Sequence, residues 1–104
     1  MKVTVSLVAA DYIKREARYL VSVNAGAARD FQASLKTMRG NLARFSHLGK
    51  ADHELPVPNL RCFVMGAYLV DYEILDTEIR ILTIRHGREK PPSVAIEDDY
   101  DFEG

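Results

Sequence analysis

The sequence predicts an α+β domain: a helical hairpin packed on a small, mostly antiparallel sheet, in the order β-α-α-β-β-β. Three observations predict it. Residues 2–8 alternate apolar and polar. Apolar residues then recur at helical spacing from Ala9 to Phe45. From Leu60 to Arg85, three short apolar runs are separated by two tight breaks.

The first strand rests on period two. Val3, Val5 and Leu7 fall on one side, and Lys2, Thr4 and Ser6 on the other. β-Branched residues in that alternation suit a half-buried strand. From Ala9 to Asn24 the period changes. Ile13, Ala17, Leu20 and Val21 form one helical stripe, with Lys14, Arg15, Glu16 and Arg18 mostly off it. Asn24-Ala25-Gly26 is the expected stop, because Asn and Gly tolerate the left-handed backbone that ends helices.

The second helix is expected from about Ala25 to Phe45. Ala27, Phe31, Leu35, Met38, Leu42 and Phe45 make the longest helical stripe in the chain, a core pattern. Gly40 lies inside it and weakens it by roughly 1 kcal/mol relative to alanine. The short break between the helices implies an antiparallel hairpin. Gly49 reads as the signal that ends the second helix, and residues 49–59, with Pro56 and Pro58, read as the longest loop. His53 sits there between Asp52 and Glu54, but neighbouring side chains of an extended segment point apart, so no metal site is expected.

The meander follows. Leu60 to Met65 is one strand and Gly66 marks a tight turn. Ala67 to Ile74 is the next, with Tyr68, Val70, Tyr72 and Ile74 opposite Leu69, Asp71 and Glu73. Asp76-Thr77 is a turn. Glu78 to Arg85 is apolar on both faces, Ile79 and Ile81 against Leu82 and Ile84, which suits a strand inside the sheet. It runs into a compact basic group of Arg85, His86, Arg88 and Lys90.

A chain of 104 residues suits one domain, and 47% hydrophobic residues suffice for a core. No apolar run approaches the roughly 20 residues of a membrane-spanning helix, and no signal peptide is expected at the N-terminus. One cysteine, Cys62, excludes an internal disulfide, fits a reducing cytosol and is expected to be a small buried residue. Charge is uneven. Residues 1–92 hold all 14 Lys and Arg against 10 of the 15 Asp and Glu, a balance of +4. Residues 93–104 hold the other five acids and no base, a balance of −5. The expected organisation is therefore a domain over 1–92 and an acidic tail over 93–104. Such a tail suits a solvated chain end, or one that folds back over the basic end.

The element order, together with Leu48-Gly49-Lys50, Glu54-Leu55-Pro56, Leu60-Arg61, Gly66-Ala67-Tyr68-Leu69-Val70-Asp71-Tyr72 and Ile81-Leu82-Thr83-Ile84-Arg85-His86-Gly87-Arg88, resembles the ParE/RelE toxin superfamily of type II toxin–antitoxin systems. The His-Gly-Arg ending resembles the ParE branch in particular. RelE-like members are metal-free, ribosome-dependent messenger RNA nucleases. Arg88 falls where they carry a catalytic arginine. Val64 replaces a basic residue of that set, and Val94 replaces its C-terminal tyrosine. ParE-like members lack the set and poison DNA gyrase.

The resemblance therefore implies a cytoplasmic toxin, of the kind tied to plasmid stabilisation, that inhibits DNA gyrase by binding, with no catalytic residue and no cofactor. It also implies a ParD- or RelB-like antitoxin. The alternatives are a ribosome-dependent RNase, with RNA or the ribosome as partner, and a non-toxic member that keeps only antitoxin binding. Arg61, Arg85, His86, Arg88 and Lys90 are the candidate target-binding residues. Arg85 and Arg88 have a competing use as partners of Asp71, Glu73 or the acidic tail, and His86 as a structural histidine. Tyr12, Tyr19 and Val23 on helix 1 are candidates for antitoxin binding, with a place in the core as the competing use.

Overall fold

The computed structural model describes residues 1–51 and 59–87. Their order is β1 (Lys2–Val5), α1 (Leu7–Val23), α2 (Ala25–Arg44), β2 (Lys50–Ala51), β3 (Leu60–Met65), β4 (Tyr68–Ile74) and β5 (Glu78–His86). The five strands form one sheet in the order β1-β5-β4-β3-β2. β1 runs parallel to β5, and the other pairs are antiparallel. Both helices cover one face, so the expected α+β architecture holds. No helix among the described residues is long and apolar enough to cross a membrane.

The first strand is shorter than the alternation predicts. It stops at Val5 because Ser6 caps α1: its Oγ accepts from the Ala9 N–H at 3.1 Å. Leu7 and Val8 are therefore helical and exposed, Leu7 to 89%. Along α1, Ala9 is buried, and Tyr12, Ile13 and Leu20 pack against the core. Val21 does not; it is exposed. A 100° step per residue carries it off the side that Ala9 and Leu20 share.

The joint between the helices is the single residue Asn24, with φ −163° and ψ 100°. It is extended, not left-handed. Its N–H donates to the Leu20 carbonyl at 2.7 Å, and its Oδ1 accepts from the Ala27 N–H at 3.1 Å. One residue thus closes α1 and caps α2. On α2, Phe31, Leu35, Met38 and Leu42 are buried as their spacing predicts, with Ala28 in place of Ala27. Phe45 lies past the last turn and is exposed.

Gly49 does not end the helix. It is buried where the chain turns into β2, a strand that falls inside the expected loop. A Cβ at Gly49 would lie 2.7 Å from the Cys62 carbonyl oxygen and 2.9 Å from the Tyr72 ring. The glycine is required by close approach. Pro56, Pro58 and His53 lie outside the described residues.

The β3–β4 hairpin turns through Gly66 and Ala67, with Gly66 at φ 60°. A positive φ at the first central residue suits the twist of a two-residue hairpin. β5 departs from the two-faced strand expected. Asp71 pairs with Thr83 and Tyr72 pairs with Ile81, so Leu82 is an extra residue, a bulge. Ile79 and Ile81 face the helices before it, and Ile84 faces them after it; all three are buried. The parity changes sides at Leu82. Ser6 supports the bulge, donating from Oγ to the Leu82 carbonyl at 2.7 Å, while its N–H reaches the Ile81 carbonyl at 2.9 Å. The core joins these isoleucines with Met65, Val70 and Tyr72 from the sheet and with Ala9, Phe31, Leu35, Met38 and Leu42 from the helices. Each such large side chain contributes about 1.5–3 kcal/mol on burial.

Candidate functional site: the end of the last strand and the outer ridge of α1

The bulge decides where the basic residues of β5 point. After Leu82, Thr83 and Arg85 share the outer face with Asp71, their neighbour on β4. Thr83 Oγ1 donates to Asp71 Oδ2 at 2.8 Å, and Arg85 Nε lies 3.9 Å from the same oxygen. At that distance Arg85 is held by charge and not by a hydrogen bond. Its side chain is 22% exposed and that of Asp71 16%. Arg85 is therefore oriented by Asp71, the first of the partners its sequence context offers.

His86, the next residue, faces the helices. It pairs with Tyr68 across the strands, and its ring meets the Tyr68 ring edge-on at 5.4 Å. Tyr68 in turn packs on Phe31 at 4.9 Å and donates its hydroxyl to Glu16 of α1. His86 belongs to an aromatic cluster at the sheet–helix boundary.

Arg61 stands elsewhere. It pairs with Tyr72, four residues along β4 from Tyr68, and shares the helix-facing side with it. Its Nη1 donates to the Gly49 carbonyl at 2.9 Å. Burial pushes the Tyr72 hydroxyl above the ordinary tyrosine pKa, against the opposing pull of the Gly49 N–H and the Arg61 charge. Arg61, Arg85 and His86 are thus not gathered: two lie at opposite ends of the helix-facing side and one on the outer face. Arg88 and Lys90 lie outside the described residues. Among the described residues no three His, Cys, Asp or Glu side chains group to hold a metal. Cys62 is half-buried on the outer face, paired with Asp71.

The three candidates on α1 fall on one line. Val8, Tyr12, Arg15, Tyr19 and Val23 recur at helical spacing along the outer side of the helix. Val8, Tyr19 and Val23 are exposed, the last two to 59%. Tyr12 is half-buried at the base of the ridge, with the Arg15 guanidinium 5.9 Å from its ring centre. Asp11 holds Arg15 in place at 3.0 Å. Reading Leu7 and Val8 as strand hides the start of this ridge. The signal that finds it is Ser6, a capping residue just before an apolar-rich helix.

The fold and sequence can be set beside known proteins. The chain matches the ParE toxin of the type II toxin–antitoxin system, parDE, over residues 3–91. No curated protein matches it by sequence. A solved structure titled as a chromosomal ParDE toxin–antitoxin system from P. aeruginosa superposes with a TM-score of 0.64 at 19% identity, covering 83% of this chain and 95% of the other. At that identity the likeness speaks for the fold. The family match extends over most of the chain and includes β1, both helices and the whole meander, and on that ground the chain belongs to the ParE toxin family of type II toxin–antitoxin systems.

Proposed function

We propose that this ParE-family chain inhibits DNA gyrase by binding it, that a cognate ParD- or RelB-like antitoxin neutralises it, and that it works in the cytoplasm. The observation that favours binding over RNA cleavage is the divergence of its cations. Nuclease chemistry without a metal needs an acid, a base and cations converging on one phosphate, within about 3 Å of the atoms they serve. Arg85 and His86 are neighbours on one strand and point to opposite faces. Arg61 is tied to Gly49 at the far end of β4. The exposed Val64 stands where a nuclease of the superfamily has a cation.

The outer ridge of α1 suits the antitoxin. An amphipathic helix docks by laying apolar side chains along such a line of exposed anchors. Val8, Tyr19 and Val23 supply those anchors, and the Tyr12–Arg15 contact supplies the middle.

The test is a pair of assays on wild type and Arg88→Ala: gyrase supercoiling and DNA cleavage, beside translation-linked RNA cleavage. The proposal expects loss of supercoiling and trapped DNA breaks with wild type, weakened by the substitution. Cleaved messenger RNA with unaffected gyrase would establish the RNase reading in its place.

A further inference from the structure

Val21 belongs to the apolar stripe of α1, yet it is 65% exposed. It stands at the mouth of a trough between the two helices. Two adjoining cavities of about 320 and 390 Å³ make up this trough, and Ile13 and Gln32 line both. Its floor is apolar, with Val5, Leu35 and Ile81 at one end and Ala17 and Val21 at the other. Ile13, Ala17 and Val21 recur at i, i+4 and i+8 and form the α1 wall. At about 100° per residue, that wall lies on the far side of α1 from the ridge of Tyr12, Tyr19 and Val23.

The rim is cationic. Lys14 and Arg18 stand one turn apart on α1, Lys36 and Arg39 stand on α2, and all four are exposed. None of them has an ion pair among the described residues. Residues 7–44 hold three acids, Asp11, Glu16 and Asp30. Each is turned elsewhere. Asp11 holds Arg15 at 3.0 Å, Glu16 accepts from the Tyr68 hydroxyl, and Asp30 lines a separate cavity beside Phe31 and Tyr68. Four cations with no acid among them repel one another until a partner brings carboxylates. The apolar floor asks the same partner for apolar side chains, which a nucleic-acid backbone lacks. Most of the wall is helical side chain, which offers no strand edge for pairing, so the partner must satisfy its own backbone bonds. A helix does so, and Ala17, small and in the middle of the wall, lets one approach closely.

We propose that this trough is a second docking site on the helical hairpin, separate from the outer ridge, for an acidic amphipathic helix of a partner protein. The apolar side of that helix seats on Ile13, Ala17 and Val21, and carboxylates along its two flanks meet Lys14 and Arg18 on one side and Lys36 and Arg39 on the other. Charge complementarity selects the occupant, and the apolar floor sets its orientation.

Fluorescence anisotropy of the full chain with a labelled probe tests it. The probe is a synthetic helix of about five turns, with leucines along one side and glutamates on both flanks of them. Saturable binding is expected. A peptide of the same composition in scrambled order is expected to bind about tenfold more weakly, because it has the charge and not the apolar side. Lys14→Glu with Arg18→Glu is expected to weaken the probe about tenfold, as two attractions become repulsions. Val21→Ser, which leaves every charge in place, is expected to weaken it about threefold. Circular dichroism of each variant guards against misfolding. In nuclear magnetic resonance spectra the probe is expected to shift the amides of Ile13, Ala17, Val21 and Gln32. Equal binding of the scrambled peptide would reduce the trough to a patch of charge and overturn the proposal. So would no binding, binding lost in Tyr19→Glu with Val23→Glu and kept in the rim variant, or tighter binding of a DNA duplex or of phosphatidylglycerol vesicles than of the probe. None of these readouts depends on what the toxin inhibits.

Discussion

The backbone N–H of Gly49 ends on the hydroxyl oxygen of Tyr72, 2.8 Å away in the buried interior. The same hydroxyl donates to the Ser46 carbonyl at 2.9 Å. One phenol thus satisfies two backbone groups of the irregular stretch between α2 and β2. It fastens that stretch to the middle strand of the sheet. Tyr72→Phe keeps the ring and orphans both groups, so a loss of about 1–3 kcal/mol is expected in denaturant unfolding. The variant also carries a pH signature. Burial raises the folded-state pKa of Tyr72 above its unfolded value. Its contribution is therefore complete below the unfolded pKa, near ~10, and is lost as pH rises through the folded one. Wild type should lose stability along this alkaline limb. Tyr72→Phe should lack that component, and identical alkaline slopes would refute the assignment.

Two glycines give opposite expectations for the same substitution. Gly49→Ala drives a Cβ into the Cys62 carbonyl and the Tyr72 ring, both backed by the sheet. Overpacking of this kind costs about 1–3 kcal/mol. Gly40→Ala meets nothing within 4 Å on the exposed side of α2. It should stabilise by up to about 1 kcal/mol. Thermal melts of the two variants beside wild type check both signs.

Ser6 serves two elements at once. Its Oγ accepts from Ala9 at the start of α1 and donates to the bulged Leu82 of β5. Ser6→Ala removes the cap and leaves the bulge carbonyl without this donor. A cost of about 1–2 kcal/mol is expected. Amide exchange should quicken at the α1 start and around Leu82 together. Faster exchange at the helix alone would mean that the bulge stands without Ser6.

On the outer ridge of α1, Tyr19→Glu with Val23→Glu should leave the melting temperature nearly unchanged, because both side chains are exposed. Binding of the co-expressed antitoxin, measured by calorimetry, should weaken at least about tenfold, the usual reach of two lost anchors. Tyr12→Ala should cost stability as well as binding, since its ring also packs on the core. Unchanged antitoxin affinity in the double variant would remove the ridge from the interface.

Much of this was legible in the amino-acid order. The stripe Phe31, Leu35, Met38 and Leu42 repeats often enough that only a helix with one buried side accounts for it. The β3–β4 hairpin was legible from Gly66 and the alternation after it. The bulge was not. A strand buried on both faces and a strand that changes parity once leave the same run, Ile79, Ile81, Leu82 and Ile84, and pairing with β4 alone separates them. Leu7 and Val8 misled for a related reason: they continue the β1 alternation, and the Ser6 side chain ends the strand before them. The candidate site was legible in its residue types and not in its geometry. Adjacent letters such as Arg85 and His86 look like a cluster, yet the strand pleat sends them to opposite faces.

The parallel pair of β1 and β5 sets the order of events at the ribosome. Lys2 lies opposite Glu78, and Val5 opposite Ile81. The first strand thus waits for the last, and closing so long a loop is the slow step in forming such a sheet. The helical hairpin emerges early with Phe31, Leu35 and Met38 facing no partner, because the sheet that covers them is still unmade. A nascent chain stopped before Glu78 lacks the strand that joins β1 to β4. This topology defers the folded domain until β5 has been made, and a truncation before Glu78 should yield an unfolded product.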